Sequence, residues 1–328
     1  MPTNLPPDYY EVEKQFRAAK SPSEKITYLE EMLSIVPKHK GTDHLRADLR
    51  KKLSKLKASP GAKKGISRRD AAFRIDQEGA GQVAVIGPAN VGKSALVKAL
   101  TNATPEVSPV PYTTWKPTPG MMPVENIQIQ LIDTPALDRD YVEPILIELI
   151  RRADLILLVV DLGTDPVQQL EDTVSMLIEN RIIPHHLRDE YTDGLRLSYK
   201  HMIVIANKND DHSSDENFEI FSELCQNECT SVPVSATTGR NLEDLKRLVF
   251  DQLEIIRVYT KAAGQEPDYN APFVIQAGGT VEDLAGKIHQ DFVTGLKSAR
   301  VWGDNVYDGQ MVGRDYVLRD GDVVELQV

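Results

Sequence analysis

Apolar residues in the first 57 positions recur at the spacing of a helix face. Tyr28, Leu29, Met32, Leu33 and Val36 form one stripe; Leu45, Leu49, Leu53 and Leu56 form another, at i, i+4, i+8 and i+11. The stretch from Pro37 to Gly41 separates them, and Thr42 is a natural N-cap, so residues 8–57 read as an antiparallel helical hairpin. From residue 80 the pattern changes. Val83–Ile86 reads as a short buried strand, and Ile127–Ile132, Leu155–Val160 and Met202–Ala206 are short apolar runs of the kind a parallel sheet buries on both faces. Helical stretches near 142–152, 166–180, 215–226 and 241–257 lie between or after them, which predicts an α/β doubly wound sheet. Near the C-terminus, Phe273–Gln276 reads as a strand and Gly278-Gly279 as a turn. Thr280-Val-Glu-Asp283 is a capping box opening a helix to about His289, and strands follow at Ala299–Trp302 and Val323–Val328. That order suggests an α+β, ubiquitin-like β-grasp module. The predicted division is a basic helical hairpin and connector (1–78), the α/β domain (79–257), a linker with Gly264, Pro267 and Asp268 (258–270), and the β-grasp module (271–328).

Composition narrows the class. Of the 328 residues, 41% are hydrophobic and 27% charged, as in an ordinary globular protein, and no apolar run reaches the roughly 18–20 residues of a membrane span. The polar start MPTNLPPDYYE lacks the pattern of a secretory signal, and only two cysteines, Cys225 and Cys229, are present, so a cytoplasmic protein is expected. Their spacing invites a zinc reading, but a structural site needs four ligands. The net charge of −11 is unevenly spread: residues 1–80 hold 17 Lys and Arg against 11 Asp and Glu, the remainder 21 against 38. A basic arm on an acidic body is a weak signal for nucleic acid. Its lysines and arginines, from Lys51 to Arg74, serve equally well as a solvated helix face or a phosphate-binding surface.

The chemistry starts at residues 83–94, VAVIGPANVGKS. A short apolar strand stops, Gly87-Pro-Ala-Asn-Val-Gly92-Lys93-Ser94 follows at the G-x-x-x-x-G-K-[ST] spacing, and a helix opens at Ala95. Such a turn bares its backbone N–H groups, and the positive end of the helix points at the same place. Gly87, Asn90, Val91, Gly92, Lys93, Ser94 and Ala95 are the expected phosphate-binding residues. Lys93 would reach the β/γ-phosphates and the Ser94 hydroxyl would ligate Mg²⁺.

The base is named further on. Asn207-Lys208-Asn209-Asp210 closes an apolar strand, and a carboxylate at 210 can accept both the N1–H and the 2-amino group of guanine, a pairing adenine does not offer. Asn207 would brace the loop, Lys208 would pack along the base, and Ser235-Ala236-Thr237 would back it from the other side. Asp133 closes another strand and would hold Mg²⁺ through water. In Tyr112-Thr113-Thr114 one threonine should complete the metal shell, with Thr114 favoured over Thr113. The tetrapeptide Asp133-Thr-Pro-Ala136 ends in alanine where the usual Asp-x-x-Gly ends in glycine; Ala136 can still offer its N–H to the γ-phosphate. The next residue, Leu137, stands where Ras-like proteins place the glutamine that orients the attacking water, so slow hydrolysis is expected.

Taken together, these motifs resemble the Obg-related GTPases, and most of all the developmentally regulated GTP-binding (DRG) group. The resemblance rests on the basic hairpin, on Tyr112-Thr113-Thr114 with Pro119-Gly120, and on Asn207-Lys208-x-Asp210. It also rests on Tyr259-Thr260-Lys261, Pro267-Asp268-Tyr269, Lys287-Ile288-His289 and Val301-Trp302-Gly303, which are similar to that group's TGS domain. It implies a translation-associated GTPase that hydrolyses GTP to GDP with Mg²⁺ and contacts ribosome or RNA. Asn90 is found at this place in GTPases that use K⁺ in place of an arginine finger, so K⁺ stimulation is a further implication. Two departures stand out: Ala136, and the absence of the insertion DRG proteins carry after the Asp-x-x-Gly region. The TGS-like module has 5 Lys and Arg against 10 Asp and Glu over 268–328, so the basic arm is the better phosphate-contacting surface. The competing reading is a nucleotide-gated scaffold that hydrolyses weakly or not at all.

Overall fold

A computed structural model describes residues 6–19, 22–36, 42–57, 75–101, 116–138, 142–191, 196–225 and 229–327. Among the described residues the N-terminal unit has three helices: α1 (Pro7–Ala18), α2 (Pro22–Ile35) and α3 (Asp43–Lys57). The expected hairpin is α2 and α3; α1 is an addition, packing Tyr9 and Val12 against Leu29, Met32, Leu33, Leu49 and Leu53. Its apolar residues are few and its mean character polar, so only contact with α2 reveals its buried side. Arg46 closes the turn between α2 and α3, Nη1 donating to the Val36 carbonyl at 2.7 Å.

The central domain runs β1 (Gln82–Ile86), α4 (Lys93–Leu100), β2 (Thr118–Val124), β3 (Ile127–Asp133), α5 (Pro144–Arg152), β4 (Leu155–Asp161), α6 (Pro166–Glu179), β5 (Ile182–Pro184), β6 (Ser198–Asn207), α7 (His212–Leu224), β7 (Ser231–Pro233) and α8 (Leu242–Gln252). The sheet order is β2-β3-β1-β4-β6, with β5 and β7 both pairing β6. Among the described strands of this sheet only β2 runs antiparallel to its neighbour. Alternation along β1 and β4 builds two cores. Val83, Val85, Leu155, Leu157 and Val159 pack under α4 and α8; Ala84, Ile86, Ile156, Leu158 and Val160 pack under α5, α6 and α7. The sheet is therefore doubly wound, and its central strands are apolar throughout because both faces are covered. β2 was not expected. Pro119 and Pro123 argue against a strand interior, and the chain tolerates them because β2 is the edge of the sheet.

The C-terminal domain contains β8 (Ile255–Thr260), β9 (Phe273–Gln276), α9 (Val281–Ile288), α10 (Gln290–Gly295), β10 (Ser298–Trp302), β11 (Gln310–Val312) and β12 (Val323–Gln327), in the order β11-β10-β12-β8-β9. α9 opens on the expected capping box and buries Val281, Leu284 and Ala285 against this sheet. Residues 255–260, expected as helix end and linker, are a central strand. Helix α8 stops at Gln252, Glu254 takes a left-handed φ of 50°, and the Ile-Ile-Arg-Val-Tyr-Thr run then favours extended backbone.

The domains touch at the β2–β3 turn. Asn126 Nδ2 donates to the Tyr259 hydroxyl at 2.8 Å and the Tyr269 carbonyl at 3.0 Å, and Arg257 is paired with both Glu125 and Asp320. Among the described residues no helix is long and apolar enough to cross a membrane.

Candidate nucleotide-binding site

Parallel strands of an open α/β sheet place their loops at one edge, and the sequence motifs converge there. The loop after β1 needs two glycines for different reasons. Gly87 has φ 140°, and a Cβ on it would lie 2.4 Å from the Val159 carbonyl of β4. Gly92 has φ 95°, and its Cβ would lie 2.2 Å from Asn207 Nδ2. Between them Asn90 is exposed with φ 63° and Val91 is buried. Helix α4 begins at Lys93 with no side-chain cap, leaving its N-terminal end to serve an anion. Lys93 is nearly buried, and its Nζ donates to the carbonyls of Gly87 at 2.9 Å and Pro88 at 2.5 Å, so the ammonium lies over the loop. Ala95, in the first turn of α4, is half-buried.

Beside it, Ser94 Oγ donates to Asp133 Oδ2 at 2.6 Å. Asp133 is fully buried at the end of β3, and its Oδ1 has no hydrogen-bond partner among the described residues. Burial raises its pKa, opposed by the Ser94 hydrogen bond and the Lys93 charge. A hydroxyl and a buried carboxylate oxygen with spare acceptor capacity form an oxygen-only donor set that suits a hard divalent cation such as Mg²⁺. Beyond Asp133, Thr134 Oγ1 donates to the Val85 carbonyl at 2.7 Å and Leu137 N–H donates to the Gly87 carbonyl at 3.2 Å. Ala136 is buried, and the Leu137 side chain packs among Ala84, Ile86, Leu146 and Ile147. Tyr112, Thr113 and Thr114 lie outside the described residues.

The base-reading end is built on β6. Asn207 is buried and spans two loops, Nδ2 donating to the Val91 carbonyl at 2.7 Å while Oδ1 accepts from Ala236 N–H at 3.2 Å. Asp210 is exposed, and its Oδ1 accepts from Ser235 Oγ. Ser235 is fully buried, Ala236 half-buried and Thr237 exposed. Lys208 has φ 67°, and its ammonium is held 2.5 Å from Asp161 Oδ2 at the end of β4. The structure therefore ties the loop after β1 to the end of β3 through Ser94 and Asp133, and to the loops after β6 and β7 through Asn207.

Sequence reading passed over Asp161, Asp215 and Arg240. Asp161 had a local signal, a carboxylate closing a run of six apolar strand residues, in the same position as Asp133. Asp215 and Arg240 had none, being an ordinary helix carboxylate and an ordinary loop cation until folding joins them. Cys225 and Cys229 pack, partly buried, near Phe221, and no metal-holding group of three His, Cys, Asp or Glu occurs among the described residues.

Residues 82–208 match the family described as 50S ribosome-binding GTPase, and residues 256–327 match the TGS domain. The chain is 28% identical to an uncharacterized GTP-binding protein of Methanocaldococcus jannaschii, over 93% of this chain and 92% of that one. It is 29% identical to developmentally-regulated GTP-binding protein 1 of Xenopus laevis, over 92% of this chain and 98% of that one. In structure it resembles the YchF GTPase of Schizosaccharomyces pombe, with a TM-score of 0.56 at 15% identity, covering 77% of this chain and 99% of that one. At that identity the likeness speaks for the fold alone.

Proposed function

From the premise that this chain joins a GTPase domain to a TGS domain in the manner of the developmentally regulated GTP-binding proteins, we propose a slow, cytoplasmic, Mg²⁺-dependent GTPase switch. The observation that carries it is Asn207, whose amide ties the phosphate loop to the loop behind the base and so makes the two motifs one pocket. Asp210 reads guanine with the acceptor capacity left beside Ser235. Lys93 and the loop N–H groups hold the β- and γ-phosphates. Ser94 and Thr114 would hold Mg²⁺ directly and Asp133 would hold it through water, and the bound ion would supply charge neutralisation at the phosphate oxygens. Water attacks the γ-phosphorus, the bond to the bridging oxygen breaks, and GDP and phosphate leave. The Leu137 side chain has no hydrogen-bonding group with which to orient that water, so the intrinsic step is slow. A positioned arginine is worth about 10³–10⁵ in rate, and K⁺, if held by Asn90, would supply part of that charge.

The partner is a ribosome or RNA, reached through the basic arm. Arg50, Lys51 and Lys52 are exposed on α3, and the ribosome-binding description of the matching family supports the same assignment. The buried Leu137 and the alanine at 136 also favour the second reading, a scaffold gated by nucleotide without turnover.

Calorimetric titration with GTP, GDP and ATP tests the pocket: guanine nucleotides should bind and ATP should not. Asp210→Asn should move the preference toward xanthosine nucleotides. Single-turnover hydrolysis in K⁺ and in Na⁺, with and without ribosomes, tests the switch. Equal rates in both salts remove the K⁺ role, and no turnover under any condition leaves the scaffold. Ribosome co-sedimentation should persist for the full chain, weaken with salt, and fall for a chain lacking residues 1–78.

A further inference from the structure

Behind the base-reading loop lies an ion pair that none of the motifs contains. Arg240 follows the Ser235–Gly239 loop, and its guanidinium meets Asp215, in the first turn of α7, through both arms: Nη1 at 2.9 Å from Oδ1 and Nη2 at 3.0 Å from Oδ2. Nη1 also donates to the Asp211 carbonyl at 3.3 Å. Asp215 Oδ1 accepts from Asn209 Nδ2 at 3.1 Å, and Asn209 is fully buried between Lys208 and Asp210. On the other side, the Arg240 carbonyl accepts from Ser235 N–H at 3.2 Å, and Ser235 Oγ donates to Asp210. These contacts close a loop of bonds from Asp210 through Ser235, Arg240, Asp215 and Asn209 back to Asp210.

We propose that Arg240 and Asp215 are positioning residues for base selection, clamping the loops after β6 and β7 so that the Asp210 carboxylate is held at the angle that reads guanine. The assignment rests on the guanine reading of the pocket and says what fixes it. Asp210 is exposed and is anchored from Ser235, so its aim depends on how Ser235 sits relative to the end of β6. The guanidinium fork sets that relation because a bidentate pair fixes orientation as well as distance, which a lysine does not. The Arg240 hydrogen bond and then that of Asn209 hold the Asp215 carboxyl down at about 2, so the clamp is charged at any working pH.

The test uses the full chain and titrates GTP, ITP and ATP against wild type, Arg240→Ala, Arg240→Lys and Asp215→Asn, with thermal melting alongside. ITP lacks the 2-amino group, so the ratio of GTP to ITP affinity reports on the two-bond geometry at Asp210. Removing the clamp should weaken GTP by about tenfold and ITP by less, contracting that ratio, with Arg240→Lys intermediate. Lys246→Ala, which breaks an exposed pair with Glu243 on α8, is the control and should leave the ratio unchanged. If Arg240→Ala does not fold, Asp215→Asn and Arg240→Lys decide the matter. A lower melting temperature with an unchanged ratio makes the pair structural only and overturns the proposal. A wild type that does not distinguish GTP from ATP overturns the guanine reading itself, and the clamp's role with it.

Discussion

A methyl group at position 92 would lie 2.2 Å from the Asn207 amide nitrogen, on backbone at φ 95°. Both the left-handed conformation and the contact exclude a side chain, and the displaced group is the one that ties the pocket together. Gly92→Ala should lower stability by about 1–3 kcal/mol in chemical denaturation and abolish nucleotide binding. Binding at wild-type strength would show that the loop can move aside. Asp133 presents the opposite case, a residue whose presence strains the unliganded protein. Its carboxylate is fully buried, one oxygen has no partner among the described residues, and its pKa is raised by desolvation. Asp133→Asn removes the buried charge, so the nucleotide-free protein should gain about 1–2 kcal/mol. The added stability that Mg²⁺ brings in the presence of GTP should vanish. Melting curves with and without Mg²⁺ and GTP measure both, and a less stable unliganded variant would mean the carboxylate is structural.

Helix α9 shows how little sequence an element needs when its start is specified. Thr280 Oγ1 accepts from Asp283 N–H at 3.3 Å and the Asp283 carboxylate accepts from Thr280 N–H at 2.8 Å, closing both ends of the box. Thr280→Ala should therefore cost about 1 kcal/mol, read as a shift in the denaturation midpoint. The Thr280 backbone N–H holds the Asp283 pKa below its ordinary value, with the Thr280 hydroxyl adding to it. A depressed carboxylate stabilises the folded form above the ordinary aspartate pKa and loses that contribution as pH falls through the folded value. The Thr280→Ala penalty should accordingly be full at neutral pH and shrink in acid. A penalty equally large at low pH would point to lost packing instead. Strand β8 was harder to read, because Leu245, Leu248 and Val249 continue helically toward Leu253 and only the left-handed Glu254 breaks the run. Edge strand β2 was hidden for another reason: its two prolines are a strand-breaking signal that only an edge position cancels.

At the scale of the molecule, one hairpin touches both the pocket and the C-terminal domain. β3 ends in Asp133 beside Ser94, and the turn at its other end, Glu125-Asn126, lies on the C-terminal domain. Arg257 is the joint: it pairs with Glu125 across the boundary and with Asp320 inside the C-terminal domain, and its guanidinium lies over the Phe250 ring of α8. Arg257→Ala should lower stability by about 1 kcal/mol, because the largely covered guanidinium loses its packing on Phe250 and its pairs with two exposed carboxylates. It should also speed amide exchange at Tyr259 and around Asn126. Exchange that stays at the wild-type rate would show that the tyrosine contacts hold the domains together without it.

The turn from Gly87 to Ser94, the Asn207-Lys208-x-Asp210 loop closing β6 and the capping box at Thr280 were legible in the chain because each is local: fixed spacing puts the donors in place as soon as the backbone turns or coils. The doubly wound sheet was legible because burial on two faces demands apolar runs, whichever strand lies beside which. Strand neighbours were not, and with them went every contact that depends on them. Lys208 meets Asp161 47 positions away, Asn207 reaches Val91 across 116, and Arg240 joins Asp215 across 25. Charge and hydrogen bonding act over a few ångströms in space, and nothing in the order of residues says which distant pair will be brought that close. Only the sheet order, by setting the ends of β1, β3, β4, β6 and β7 side by side, decided that these residues form one site.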